Sequence, residues 1–219
     1  EVKQMINKRD ISKNCKYLLD EWKENLNLTN YERTKFEDIL TALNFQINKL
    51  EKKQMQISVY GRVGVGKSSL LNALIEKQIF PTDIINGNTK INKSYEWDSK
   101  FTSLSKVELI DSPGINEVNN FHNEQKNFNR ALDTDLILFV IDSDITRIDL
   151  NSIKNLLKNN KPILIVLNRC DQWSQKETKL IISSIHKKLS FFEQRIKITL
   201  AASSPREAKI KQDGTVRSE

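Results

Sequence analysis

Apolar residues in the first quarter of the chain recur at spacings of three and four. Met5 and Ile6 are followed by Leu18, Leu19 and Trp22, then by Phe36, Ile39, Leu40, Leu43, Ile47 and Leu50. That is the period of one face of an α-helix, and residues 1–54 contain no glycine or proline to interrupt it. The pattern lapses over Asn27-Leu28-Thr29-Asn30, where Thr29 with Glu32 three residues on forms a capping box. The expectation is an α-helical hairpin, a helical arm over 1–54. Such an arm serves either as packing for the rest of the protein or as a surface for partners and self-association.

From residue 55 the apolar positions gather into short runs separated by helical stretches. The predicted strands are Gln56–Tyr60, Ser94–Trp97, Lys106–Ile110, Leu136–Ile141, Ile163–Leu167 and Ile196–Leu200. Helices are predicted near Lys67–Lys77, Asn123–Leu132, Arg147–Asn159 and Lys176–Ser190. This alternation predicts an α/β domain over 55–204 with a mainly parallel six-stranded sheet. The unbroken runs Leu136–Ile141 and Ile163–Leu167 suit central strands covered on both faces.

Between the first strand and the helix after it lies Gly61-Arg62-Val63-Gly64-Val65-Gly66-Lys67-Ser68, which satisfies G-x-x-x-x-G-K-[ST] in the strand–loop–helix context that the motif requires. The glycines let the backbone curl. The N–H groups from Gly61 through Arg62, Val63, Gly64, Val65, Gly66 and Lys67 to Ser68 and Ser69 then face a polyphosphate at a helix N-terminus. Lys67 can reach the β- and γ-phosphates, and the Ser68 hydroxyl is placed for Mg²⁺.

Three later segments name the base and the sensor. Asp111-Ser112-Pro113-Gly114 closes an apolar strand 44 residues after Lys67; Asp111 is placed to hold Mg²⁺, and Gly114 to offer its N–H to the γ-phosphate. Asn168-Arg169-Cys170-Asp171 follows the fifth strand. The Asp171 carboxylate can accept from guanine N1–H and the 2-amino group, a donor pair that adenine lacks. Asn168 is expected at the other edge of the base and as a tie to the phosphate loop, with the stem of Arg169 over the base face. Thr199-Leu200-Ala201-Ala202-Ser203 ends the last strand, where a backbone N–H near Ala202, with Ala201 beside it, would meet guanine O6. The ligands read from these residues are GTP or GDP with Mg²⁺.

Taken together, the four ordered motifs make residues 55–204 resemble a translation-factor-class GTPase, a P-loop G domain. Gly66-Lys67-Ser68-Ser69-Leu70-Leu71-Asn72-Ala73-Leu74 is similar to the corresponding run of Era-like and dynamin-like bacterial GTPases. Thr82-Asp83-Ile84 with Gly87-Asn88-Thr89 resembles their switch segment with one residue inserted, which implies that Thr89, with Thr82 as the second candidate, closes on Mg²⁺ and the γ-phosphate. Gly61-Arg62-Val63, the run from Asp135 to Arg147 and Lys161-Pro162 resemble a group with an N-terminal helical segment and a C-terminal hydrophobic domain. For the full-length protein that resemblance implies GTP hydrolysis in the cytoplasm, peripheral to a membrane, with ribosomal or other RNA as the second choice of partner; a scaffold that binds GTP for assembly without hydrolysing it is the remaining alternative. Ras-like enzymes carry a glutamine after D-x-x-G to orient water; here the residue is Ile115, as in hydrophobic-substituted GTPases. Slow intrinsic hydrolysis, raised by a homodimer or an activating partner, is therefore expected. The potassium-linked asparagine of some Era-like proteins is replaced by Gly64.

Composition sharpens this picture at two points. The 35 basic residues outnumber the 28 acidic ones, and Lys176–Lys197 alone holds six basic residues against Glu177 and Glu193. That stretch reads as a solvated helix face, or as a contact for RNA or anionic lipid. Cys15 and Cys170, the only two cysteines, exclude a disulfide framework. His122 and His186 lack any spacing that suggests metal chemistry, and Arg62 and Arg147 read as surface residues ahead of arginine fingers. The chain begins at Glu1 and ends soon after its last apolar segment, so residues 205–219 are expected to be the start of a longer C-terminal region.

Overall fold

The computed structural model describes residues 11–82, 93–98, 103–112, 114, 128–129, 131–205, 208–210 and 216–218. The chain divides into two compact units, Glu1–Met55 with Asp98–Val107 and Gln56–Trp97 with Glu108–Glu219.

In the first unit, helices α1 (Ile11–Glu24), α2 (Asn30–Lys35) and α3 (Glu37–Glu51) replace the two predicted helices. The turn falls where the apolar period lapses. Thr29 Oγ1 accepts the Glu32 N–H at 3.3 Å, and the Glu32 carboxylate accepts the Thr29 N–H at 2.9 Å. The extra division lies at Phe36 (φ −106°, ψ 14°). The bonds Phe36 N–H to Glu32 O and Leu40 N–H to Phe36 O, both 2.9 Å, keep the four-residue step across it, so the break is a kink and not a helix end. Lys16 Nζ lies 3.1 Å from Glu51 Oε1 and Lys23 Nζ 2.6 Å from Asn44 Oδ1, contacts that run α1 and α3 antiparallel.

The sheet contains β1 (Gln54–Tyr60), β2 (Lys93–Trp97), β3 (Lys106–Asp111), β4 (Leu136–Ile141), β5 (Ile163–Leu167) and β6 (Lys197–Leu200), in the order β2-β3-β1-β4-β5-β6. Strands β1, β4, β5 and β6 pair in parallel, with Ile57 opposite Leu136, Ile137 opposite Ile163 and Leu164 opposite Lys197. Strand β4, in the middle of the sheet beside β1, is the least exposed: every one of its residues after Leu136 is buried, as expected for a strand covered on both faces. Phe139, Ile141, Ile165 and Leu167 form one core with Ile153, Leu156 and Ile185, from α5 (Arg147–Lys158) and α6 (Gln175–Leu189). Helix α4 (Lys67–Ile75) follows β1. Of the predicted helix Asn123–Leu132, only residues 128–129 and 131–132 are described, and they are helical.

The sequence reading missed an antiparallel pair, β7 (Ala208–Ile210) with β8 (Val216–Ser218). Asp213-Gly214 between them is a hairpin dipeptide that signals such a pair. Among the described residues no helix is long and apolar enough to cross a membrane.

Candidate nucleotide site

Each motif follows the carboxyl end of its strand, where ligands of open α/β sheets bind. Two glycines of the loop after β1, Gly61 and Gly66, have no room for a side chain. A Cβ on Gly61 (φ 147°) would fall 2.3 Å from the Val140 carbonyl oxygen, and one on Gly66 (φ 89°) 2.4 Å from Asn168 Nδ2. Val65 is buried while Val63 and Gly64 face solvent. Lys67, only 8% exposed, donates from Nζ to the Arg62 carbonyl at 2.8 Å, so its ammonium is held against its own loop. Gly114 packs on that ammonium: a Cβ there would lie 2.9 Å from Lys67 Nζ and 2.7 Å from Val63 Cγ2.

Ser68 Oγ donates to Asp111 Oδ2 at 2.7 Å. Asp111 is 1% exposed at the end of β3, and the neighbouring Ser112 hydroxyl donates to the Val59 carbonyl, pinning this corner to β1. A serine hydroxyl and a carboxylate side by side are hard oxygen donors beside the phosphate loop, a set that fits Mg²⁺. Ser69 is half-buried in the first turn of α4. Thr89 lies outside the described residues, as do Ile115 and His122; Thr82 is described and exposed.

On the base side, Asn168 (1% exposed) ties three segments together. Its Nδ2 donates to the Val65 carbonyl at 3.0 Å. Its Oδ1 accepts from the Ser203 N–H at 3.2 Å and the Ser203 Oγ–H at 2.9 Å. The expected tie to the phosphate loop is thus present, and the same amide also holds the turn after β6. Backbone bonds from Ala201 N–H to Leu167 O (2.9 Å) and from Cys170 N–H to Ala201 O (3.0 Å) stitch the two base loops together. Asp171 is exposed in a single 3-10 turn, Cys170–Gln172, entered through Arg169 in the left-handed region at φ 57°. Ala202 is half-buried beside it.

Arg169 and Arg62 both reach Asp142. Arg169 directs its guanidinium back to the phosphate loop, with Nη2 to the Gly64 carbonyl at 2.6 Å and Nη1 to Asp142 Oδ2 at 3.2 Å. Arg62 sends Nη2 to the other oxygen of Asp142 at 3.3 Å and Nε to Asp149 Oδ2 at 3.3 Å. Asp149 is fully buried and also caps α5 through Thr146. Arg62 is therefore an internal clamp, whereas Arg147 is exposed. Sequence reasoning gave no role to Asp142, Ser203 or Asn72. Asn72, 3% exposed, accepts the Ile79 and Phe80 N–H groups at 2.9 and 2.8 Å and donates to the Phe80 carbonyl at 2.7 Å, fixing the segment that leaves α4. Its signal was its place in the run beginning Gly66-Lys67-Ser68. For Asp142 the signal was an acid one residue beyond an apolar strand, in a chain with arginines in two nucleotide motifs.

A parallel sheet with a glycine loop feeding a helix, and three further loops converging at the same edge, define a P-loop GTPase fold. The chain belongs to the 50S ribosome-binding GTPase family, whose profile matches residues 56–169. It is similar to GTPase Der of Finegoldia magna (31% identity over 55% of this chain and 28% of the relative) and of Buchnera aphidicola subsp. Schizaphis graminum (30% identity over 76% and 39%). The chain thus spans well under half the length of these curated relatives. A solved structure of Era in complex with MgGDPNP and nucleotides 1506–1542 of 16S ribosomal RNA superposes with a TM-score of 0.57 at 25% identity, covering 68% of this chain and 51% of that one. The chain is accordingly a member of this P-loop GTPase family, with similarity to both Der and Era. The similarity does not single out the dynamin-like branch.

Proposed function

We propose that the protein is a Mg²⁺-dependent switch that binds GTP and hydrolyses it slowly to GDP and phosphate. The observation that carries this reading is the corner where Ser68 Oγ meets Asp111 Oδ2 at 2.7 Å while Gly114 packs on the Lys67 ammonium. It brings the side chains that would hold the ion to the lysine that would meet the terminal phosphate, and adds the glycine that would sense that phosphate. Ser68 and Asp111, joined by Thr89, would hold Mg²⁺, which when bound neutralises charge on the β- and γ-phosphate oxygens. The backbone of Gly61–Ser69 cradles the phosphates, and Asp171, with Asn168, Ala201 and Ala202 behind it, selects guanine. Swinging Lys67 from the Arg62 carbonyl to a phosphate exchanges a neutral acceptor for an anionic one, a stronger hydrogen bond.

Ile115 cannot orient water, so the intrinsic rate is low and a second protomer or a partner supplies the missing group. Steady-state turnover of the isolated chain is expected below about 1 s⁻¹, the bottom of the ordinary enzyme range. A faster rate that does not depend on protein concentration overturns the slow-switch reading.

For the setting in which the switch acts, two readings separate. Peripheral attachment to the cytoplasmic face of a membrane rests on the resemblance to relatives with a hydrophobic C-terminal domain. Association with ribosomal RNA is supported by a specific finding, the similarity to an Era structure that contains 16S ribosomal RNA, and by the excess of basic residues. Co-sedimentation of GTP-loaded protein with anionic liposomes, set against salt-titrated binding to ribosomal RNA, decides between them.

A further inference from the structure

The basic stretch Lys176–Lys197 has no part in nucleotide binding, yet its C-terminal end forms one wall of a groove. The other wall is α5. Between them lies a trough of about 540 Å³ with Leu150, Leu157 and Phe192 along it and Lys154, Lys158 and Lys188 at its sides. The three apolar side chains are half-buried where they pack on the domain core. Phe191 stands at the lip with 88% of its surface exposed, the most exposed of the described large apolar residues.

The positions on α5 follow from helix geometry. Residues 150, 154, 157 and 158 fall on one stripe at steps of three and four, so the stripe alternates leucine and lysine. Lys188 is held by Asp144 Oδ2 at 2.9 Å and the Ile145 carbonyl at 2.7 Å, which fixes one edge of the trough. Lys154 and Lys158 are exposed and make no ion pair among the described residues. They stand one helical turn apart, an arrangement of like charges that costs a few tenths of a kcal/mol in an isolated helix. Among the described residues Glu193 is the one acid lining the trough.

We propose that this groove docks an acidic amphipathic helix of a partner protein, its leucine or aromatic face laid on Leu150, Leu157 and Phe192 and clasped by Phe191, with carboxylates on its flanks facing Lys154 and Lys158. The charge pattern selects this occupant. An apolar floor between basic rims complements a helix whose apolar stripe is bordered by glutamates. A nucleic-acid strand would meet the lysines but leave the leucine floor wet, and a neutral hydrophobic segment would leave the rim charges unanswered.

The test uses the full chain, GTP-loaded, and a fluorescein-labelled synthetic peptide of about four helical turns, with leucines at i, i+3, i+4 and i+7 and glutamates alongside. Fluorescence anisotropy is expected to show saturable binding that Phe191→Ala weakens at least about fivefold, as for an interface anchor. Lys154→Glu with Lys158→Glu is expected to weaken the acidic peptide about tenfold and to favour a control peptide carrying lysine at every glutamate position. GTP affinity, measured on each variant, is expected to be unchanged and shows that the domain is folded. The proposal is overturned by any of three results: no saturable binding of the acidic peptide, equal affinity for the acidic and lysine peptides, or displacement of the acidic peptide by a single-stranded RNA oligonucleotide at equal concentration. Loss of a self-dimer in the Phe191→Ala protein would also overturn it, by showing that a second copy fills the groove.

Discussion

At the scale of single residues, the arginine in Asn168-Arg169-Cys170-Asp171 is where this site departs most from a simple motif. A lysine presents one ammonium. Arg169 presents a fork, and both arms are used, one on the Gly64 carbonyl and one on Asp142. Asp142 is shared with Arg62, so a single carboxylate links the second residue of the phosphate loop to the residue before the guanine-selecting turn. Replacing Asp142 with Ala should weaken GTP and GDP alike by about tenfold, or roughly 1.4 kcal/mol. Arg169→Lys should lose several-fold, although it restores a lysine to that position. Nucleotide dissociation rates for the two variants check this, and unchanged rates would show the clamp to be ornamental. Asp171→Asn, by contrast, should leave the loops in place and change which base is preferred, from guanine towards xanthine. Competition between GTP and xanthosine triphosphate measures it. The motif residues were legible because their chemistry depends on spacing along the chain. Asp142 was not, because its partners are 80 and 27 residues away and meet it only after folding.

At the scale of elements, the ends of helices were the most readable feature. Thr29-to-Glu32 was anticipated as a capping box, and the same reciprocal pair recurs at Thr146 with Asp149 and Ser174 with Glu177. What local sequence could not show is how the elements are held to one another. Asp144, in the turn before α5, accepts from Lys188 Nζ at 2.9 Å and Ser184 Oγ at 2.7 Å, both on α6, and from the Ile145 N–H at 2.8 Å. Burial alone would raise its pKa, but the bonds from Lys188, Ser184 and Ile145 outweigh it and hold the carboxyl below the ordinary aspartate value. A group whose folded pKa is depressed contributes stability that is fully present above its unfolded pKa, about 4, and that fades as pH falls through the lower folded value. Asp144→Asn should therefore cost about 1 kcal/mol at pH 7, a modest figure because the Lys188 pair is more than a third exposed. The gap between wild type and variant should close as pH falls below about 4. Urea unfolding at pH 7, 5 and 3 follows the gap; a difference that stays constant over that range would remove the carboxylate from the account.

At the scale of the whole molecule, every residue proposed to touch nucleotide belongs to the unit Gln56–Trp97 with Glu108–Glu219, and none to the helical unit. The alternation of strand and helix made the sheet legible, because each strand is short and each motif sits at its end. The β7–β8 pair was overlooked because two three-residue strands carry little apolar pattern of their own. The division also yields a spectroscopic handle: Trp22 belongs to the first unit, Trp97 and Trp173 to the second. In a Trp22→Phe protein the remaining tryptophan fluorescence reports only on the nucleotide-binding unit. A ligand that binds the folded state alone, at a hundred times its Kd, adds about 2.7 kcal/mol, and each kcal/mol raises the midpoint by about 2–4 °C for a chain of this size. GTP with Mg²⁺ should thus shift the Tm of that fluorescence by roughly 5–10 °C, while ATP at the same concentration should shift it hardly at all. Chelating Mg²⁺ should remove part of the gain, because Ser68 and Asp111 would lose the ion between them and the phosphates. Lys67→Ala should remove nearly all of it. An equal shift from ATP would break the assignment of Asp171 to guanine, and a full shift in the Lys67→Ala protein would break the assignment of the phosphate loop.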